Sequence, residues 1–346
     1  MDNSAGGWLP AVETFAKGTF ATAAALGTVG MGLLYYGQNY LIYPSAFPSG
    51  SREEVAVPTD YNLDYDSLEL QTPDGVTLRC YLLVQHKDLG VTKVGATHID
   101  EDVDPDLTDN EFIASRPTVI MFHGNGGNHG HRIPLARVFY LKMRCNVLMM
   151  SYRGYGLSDG SPSEKGFVVD AQTALDYLLS DPLLSQTSII LYGQSIGGAV
   201  SIDLASKNPD KIAALVLENT FMSMRSLIPS AMPLLGPVSF LCHQRWDSAS
   251  KIPRIPASVP ILMLSGAQDE LVPPEHMRSL FELVVARKGD KMDNEKVKFA
   301  EFPHGGHNDT CAQPGYWSVV ADFIAGLGDR TAAKAKKAAD AGGSML

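Results

Sequence analysis

A serine with glycines two positions before and two positions after it, placed where a strand gives way to a helix, leaves a chain few ways to fold. Residues 193–197 read Gly-Gln-Ser-Ile-Gly. They follow the apolar run SIILY at residues 188–192 and open a helical pattern over 196–207, which ends near Asn208-Pro209. A turn this sharp holds its serine in a strained conformation, and side chains at positions 193 and 197 would collide. The turn lifts the Ser195 hydroxyl clear of a buried sheet and aims a helix N-terminus at it.

The rest of the chain supplies the sheet. Apolar runs predict strands over 65–72 and 76–84, around the turn Pro73-Asp74-Gly75, and then over 118–122, 146–151, 188–192, 213–217, 260–264 and 297–302. Helical patterns predict helices over 133–143, 164–179 with Ser163 as its cap, 196–207, 275–286 and 316–327. The alternation predicts an α/β fold, with a mostly parallel eight-stranded sheet flanked by helices.

A neutral serine is a poor nucleophile at pH 7, so it needs a base and a group that orients that base. Asp269 follows the strand at 260–264, and His307 follows the strand at 297–302. Strand C-terminal ends are where open α/β sheets gather their sites. The chain order serine, acid, histidine matches that expected after a strand–serine–helix elbow. His307 then accepts the Ser195 proton and returns it to the leaving group, while Asp269 orients the imidazole. His304 is the rival base and Asp247 and Glu218 are rival acids. His307 is preferred because Gly305-Gly306 lets its loop turn and a following Asn-Asp pair can hold it. The oxyanion hole needs two N–H donors. One is the backbone of Ile196. The other is the backbone of Asn125, in the loop HGNGGN at residues 123–128. His123 is expected to brace that loop. Arg153 and Asp159 are expected to brace the neighbouring loop SYRGYGLSDG at 151–160. This chemistry needs no cofactor and no metal.

Residues 18–37 carry no charge, and twenty helical residues span about 30 Å, the thickness of a bilayer core. Tyrosines 35, 36, 40 and 43 cluster at one end, as at a headgroup boundary. The segment therefore reads as a transmembrane anchor after an N-terminal segment 1–17, with a linker over 38–62. The catalytic domain spans 63–328. Within it, residues 86–116 read as an exposed, flexible acidic insertion. Residues 221–257, rich in methionine, leucine and proline, read as a small apolar lid. The tail 329–346 reads as disordered. The net charge of −10 gives nucleic-acid binding no electrostatic support. Cys80, Cys145, Cys242 and Cys311 form no C-x-x-C pair, which argues against zinc or redox use. The sequon Asn308-Asp309-Thr310 adjoins His307, and a glycan there would block the site.

The stretches HGNGGN, SYRGYGLSDGSPSE, YGQSIGGAV, ENTF, GAQDELVP and HGGHND together resemble the bud-emergence-protein 46 family and related animal membrane serine hydrolases. The resemblance runs from residue 63 to about residue 327 and includes the hydrophobic N-terminus. It implies an α/β-hydrolase fold and a membrane serine hydrolase of the endoplasmic reticulum or plasma membrane. The implied reaction cleaves esters or thioesters, with a palmitoyl-protein thioesterase or lipid esterase as the expected form. Its substrate would be an acyl ester, an acyl thioester or a lipidated protein. The same triad also serves peptidases and acyltransferases, and a fold alone never excludes a membrane scaffold.

Overall fold

The structure is a computed structural model, and it describes residues 9–87, 107–287 and 296–328. The tail 329–346 and most of the acidic insertion lie outside these residues. Among the described residues eight strands form one sheet, in the order β1-β2-β4-β3-β5-β6-β7-β8. The strands are β1 (Asp66–Gln71), β2 (Thr77–Leu83), β3 (Thr118–Phe122), β4 (Asn146–Met150), β5 (Ile189–Gln194), β6 (Ala214–Glu218), β7 (Ile261–Gly266) and β8 (Val297–Phe302). β2 runs antiparallel to β1 and β4, and every later pairing is parallel. All residues of β3 to β7 are buried. That burial explains why these strands read as unbroken apolar runs rather than as alternations: helices cover both faces of a parallel sheet.

The helices are α1 (Leu9–Ile42), α2 (Asp109–Ser115), α3 (Ile133–Lys142), α4 (Glu164–Ser180), α5 (Ile196–Lys207), α6 (Met224–Ala231), α7 (Ser248–Lys251) and α8 (Pro274–Val285). A further helix, α9, occupies residues 316–328. The sheet divides the core in two. Ile120, Phe122, Leu148 and Leu191 point to one face, where they share a cluster with residues of α4, α5 and α8. Val119, Met121, Val147 and Ile190 point to the other, with residues of α3 and α9. The two-residue period of a strand forces this division. Ser163 caps α4 as expected, its hydroxyl accepting from the Gly166 N–H at 3.0 Å.

Arg153 does brace its loop. Its Nε donates to Asp170 Oδ1 at 2.8 Å and its backbone N–H to Asp170 Oδ2 at 2.8 Å. Its two terminal nitrogens grip Asp74 in the β1–β2 turn at 2.6 and 3.0 Å. One guanidinium thereby ties that turn, the 151–160 loop and α4 together. Burial pushes the Asp170 carboxyl up to about 6 against the pull of this partner.

Two expectations need correction. Residues 18–37 lie inside α1, but among the described residues no helix is long and apolar enough to cross a membrane. The reason is composition: Gly18, Thr19, Thr22, Gly27, Thr28, Gly30, Gly32 and Gly37 dilute the apolar side chains. Freedom from charge is a weaker condition than strong hydropathy. The end of the acidic insertion is also not a loop. Thr108 and Glu111 form a capping box that starts α2, and Phe112 and Ile113 are buried. The guanidinium groups of Arg116 and Arg144 stand 5.6 and 5.1 Å from the Phe112 ring centre. A single helical turn of apolar residues is too short to register as a period.

Phe167 of α4 stacks on Tyr152 with ring centres 4.1 Å apart and planes 13° apart, and both rings are fully buried. Phe167→Ala is expected to destabilise the domain by about 3–5 kcal/mol, the usual cost of emptying an aromatic core site. Urea denaturation of parent and variant checks this.

Candidate active site

Ser195 sits between β5 and α5 with φ 55° and ψ −119°, a region that L-residues rarely occupy. The glycines on either side are steric requirements. A Cβ on Gly197 would overlap the Phe122 carbonyl, and one on Gly193 would overlap the Gly197 carbonyl. The first turn of α5 therefore lies directly against the ends of β3 and β5, and only glycine permits that approach.

Asp269 lies just past β7 and His307 just past β8. His307 Nδ1 is 2.8 Å from Asp269 Oδ2 and 3.0 Å from Oδ1. Asp269 Oδ1 also accepts from the backbone N–H groups of Leu271 and Val272 at 2.9 and 2.8 Å. The carboxylate is thus fixed by two backbone N–H groups as well as touching the imidazole. Asp309 Oδ1 accepts from the Gly306 N–H at 2.6 Å, so the residues after His307 hold its loop. Ser195 and His307 line one cavity, and both are buried, with 7% and 6% of their surface exposed.

The rivals stand elsewhere. His304 is exposed on the surface. Asp247 caps α7. Glu218 lies beneath the site, where it accepts from the hydroxyls of Tyr192 and Tyr316 at 2.6 and 2.5 Å. Burial raises its carboxyl above the usual range.

Asn125 and Ile196 both line the cavity. Ile196 is the first residue of α5, where a backbone N–H has no partner within the helix. The Asn125 side chain donates to the Ile42 carbonyl and accepts from the Tyr155 hydroxyl at 2.9 Å. His123 keeps to bracing: its Nδ1 lies 2.7 Å from the Gly124 carbonyl oxygen, and its own carbonyl accepts from the Tyr152 hydroxyl at 3.1 Å. Both His123 and His129 are buried, and desolvation holds each down to about 3.

The cavity holds about 670 Å³. Its roof is α6 and the following 3-10 turns (Pro233–Leu241), which contribute Leu227, Ile228, Leu235 and Leu241. Its side wall was not foreseen. Leu34, Leu41 and Ile42 of α1, with Pro44 and Phe47 beyond it, face the same space. The stretch 38–62, expected to be a linker, is part of the site. Gln38 stitches wall to roof: its Oε1 accepts from the His243 and Gln244 N–H groups at 2.8 and 3.3 Å. The Tyr43 hydroxyl donates to Gln244 Oε1 at 2.9 Å and accepts from Trp246 Nε1 at 2.9 Å. Gln38 is a buried polar side chain beside Asn39 near the end of the helix, a sign in the sequence that this end meets protein.

Sheet order and elbow define the class, an α/β hydrolase fold, and the family model described as that fold matches residues 117–238. The chain belongs to the Bem46 family within it. It is 44% identical to the protein bem46 of Schizosaccharomyces pombe over 322 residues, 93% of this chain and 97% of that one. It is 37% identical to an uncharacterized membrane protein of Saccharomyces cerevisiae, over 87% of this chain and 93% of that one. It is 33% identical to the alpha/beta hydrolase domain-containing protein WAV2 of Arabidopsis thaliana, over 90% and 95%. Among solved structures, an esterase of Pyrococcus furiosus shares the fold with a TM-score of 0.58 at 18% identity, covering 78% of this chain and 95% of its own.

The neutral His129 makes a pH prediction. In the unfolded chain it takes up a proton near pH 6.5, whereas in the fold it resists protonation down to about 3. Its contribution is present above pH 6.5 and is lost as pH falls toward about 3. Replacing His129 with glutamine is expected to remove about 1.4 kcal/mol per pH unit from the acid slope of stability in that window. Denaturant melts from pH 7 to pH 4 measure it.

Proposed function

We propose that this protein is a serine hydrolase that cleaves acyl esters or thioesters. Ser195 is the nucleophile, His307 the general base and acid, and Asp269 the orienting group. The observation that carries the reading is one arrangement: a strained serine and an aspartate-held histidine on the floor of a large apolar chamber.

The steps follow from the positions. Ser195 attacks the acyl carbon while His307 takes its proton. The backbone N–H groups of Asn125 and Ile196 receive the negative oxygen of the tetrahedral intermediate. His307 returns the proton to the leaving alcohol or thiol, which leaves an acyl-serine. Water, activated by the same histidine, then releases the acid. The chamber size suits a small-molecule ligand, and its lining of leucine, isoleucine, valine and phenylalanine suits an acyl chain. A lipidated protein or a lipid ester fits this description.

Work at a membrane surface, that of the endoplasmic reticulum or plasma membrane, belongs to the same proposal. Exposed Leu26, Leu33, Tyr36 and Tyr40 of α1, and Leu234 and Phe240 of the roof, support it. So does the description of the yeast relative as a membrane protein.

A fluorophosphonate probe tests the core of the reading. The parent protein is expected to label and Ser195→Ala not to. Asp269→Asn is expected to lower kcat by about 10⁴-fold, because it offers the imidazole the wrong tautomer. A folded parent that ignores the probe and hydrolyses no acyl ester would sink the reading. Leu235→Trp fills the chamber from its roof. Against a series of p-nitrophenyl esters it is expected to move the preference to shorter chains, by at least about tenfold in kcat/KM for the longest.

A further inference from the structure

Asn219 stands just beyond β6, between the strand that ends at Ser195 and the strand that leads to Asp269. It is fully buried and has φ 46°, a left-handed conformation that asparagine tolerates better than most residues. Its side chain is fully used. Oδ1 accepts from the Gly266 N–H at 2.8 Å, at the end of β7. Nδ2 lies within hydrogen-bond distance of three acceptors: the Gly306 and His307 carbonyls, both at 3.2 Å, and Thr310 Oγ1 at 3.0 Å. Its backbone N–H donates to the Leu264 carbonyl at 3.1 Å. One carboxamide therefore joins the strand end that carries Asp269 to the loop that carries His307.

Its neighbours do the same for the nucleophile. The Glu218 carbonyl accepts from the Ser195 N–H at 2.8 Å, and Thr220 Oγ1 donates to the Ser195 carbonyl at 2.7 Å. Both peptide groups of Ser195 are thereby held by residues adjoining Asn219. Residues 218–220 bond to the backbone of Ser195 and also to that of His307, whose carbonyl accepts as well from Gln194 Nε2 at 3.4 Å.

We propose that Asn219 is a positioning residue, which sets the Asp269–His307 pair at its working distance from Ser195 by holding the two loops to one amide. The proposal rests on the triad reading above. Asn219 touches no reacting atom. Its contribution is geometric, and displacement of a catalytic group by about 1 Å costs on the order of 10²-fold in rate.

The test uses the full chain, p-nitrophenyl octanoate and a fluorophosphonate probe, with parent, Ser195→Ala, Asn219→Asp and Asn219→Gly. Asn219→Asp keeps the acceptor for Gly266 and tolerates the backbone angle, but it faces the two carbonyls with an acceptor. Asn219→Gly relaxes the backbone and removes the side chain. Both are expected to unfold cooperatively, to lose about 10²-fold in kcat and in labelling rate together, and to keep KM within about threefold. Retention of kcat within about threefold by either folded variant would overturn the proposal. So would loss of cooperative unfolding in both, which would make the residue structural only, and so would a rise in KM with kcat unchanged. Failure of the triad reading looks different: the parent itself would not label, or Ser195→Ala would hydrolyse the ester as well as the parent.

Discussion

The close approach of α5 to the ends of β3 and β5 governs everything around it. That approach fixes the two glycines, forces Ser195 to a positive φ and starts α5 at Ile196, a residue that lines the cavity. Strain of this kind persists only where the surroundings over-determine it. Here they do so through the Glu218 carbonyl and the Thr220 hydroxyl on the two sides of the Ser195 backbone. The parallel sheet is the reason such surroundings exist, because it brings the ends of neighbouring strands to one edge.

Around that edge the chain divides its labour by polarity. Beneath the site, polar side chains are buried and matched: Glu218 with two tyrosines, Asn219 with the two loops, and Asp269 with two backbone N–H groups. Above it the chamber is mostly apolar, and Gln38 joins its wall to its roof. Rigidity thus lies below the site, and a largely apolar space lies above it.

Much of this was legible in the sequence. The strands of the parallel core declared themselves as short apolar runs, because burial on both faces removes alternation. The candidate residues Ser195, Asp269 and His307 were legible because each follows such a run; the structure brings the last two into hydrogen-bond contact and places Ser195 and His307 on the lining of one cavity. What escaped notice depended on contacts between distant segments. Asn219 stood out only as one letter of the stretch ENTF, with no role read for it, and its value comes from loops 47 and 87 positions away. The C-terminal end of α1 was misjudged for a related reason. An uncharged helix looks alike whether its apolar side faces lipid or the roof of a chamber some 200 positions further on.

That junction bears on how the protein is handled. A fragment starting at the first strand would keep the sheet, the elbow and the Asp269–His307 pair. It would lack Gln38, which binds the roof, and Ile42 and Phe47, whose carbonyls receive the Asn125 side chain and the Gly127 N–H. Such a fragment would present a trough where the whole chain has a chamber. Substrate preferences measured on it would describe the truncation rather than the enzyme.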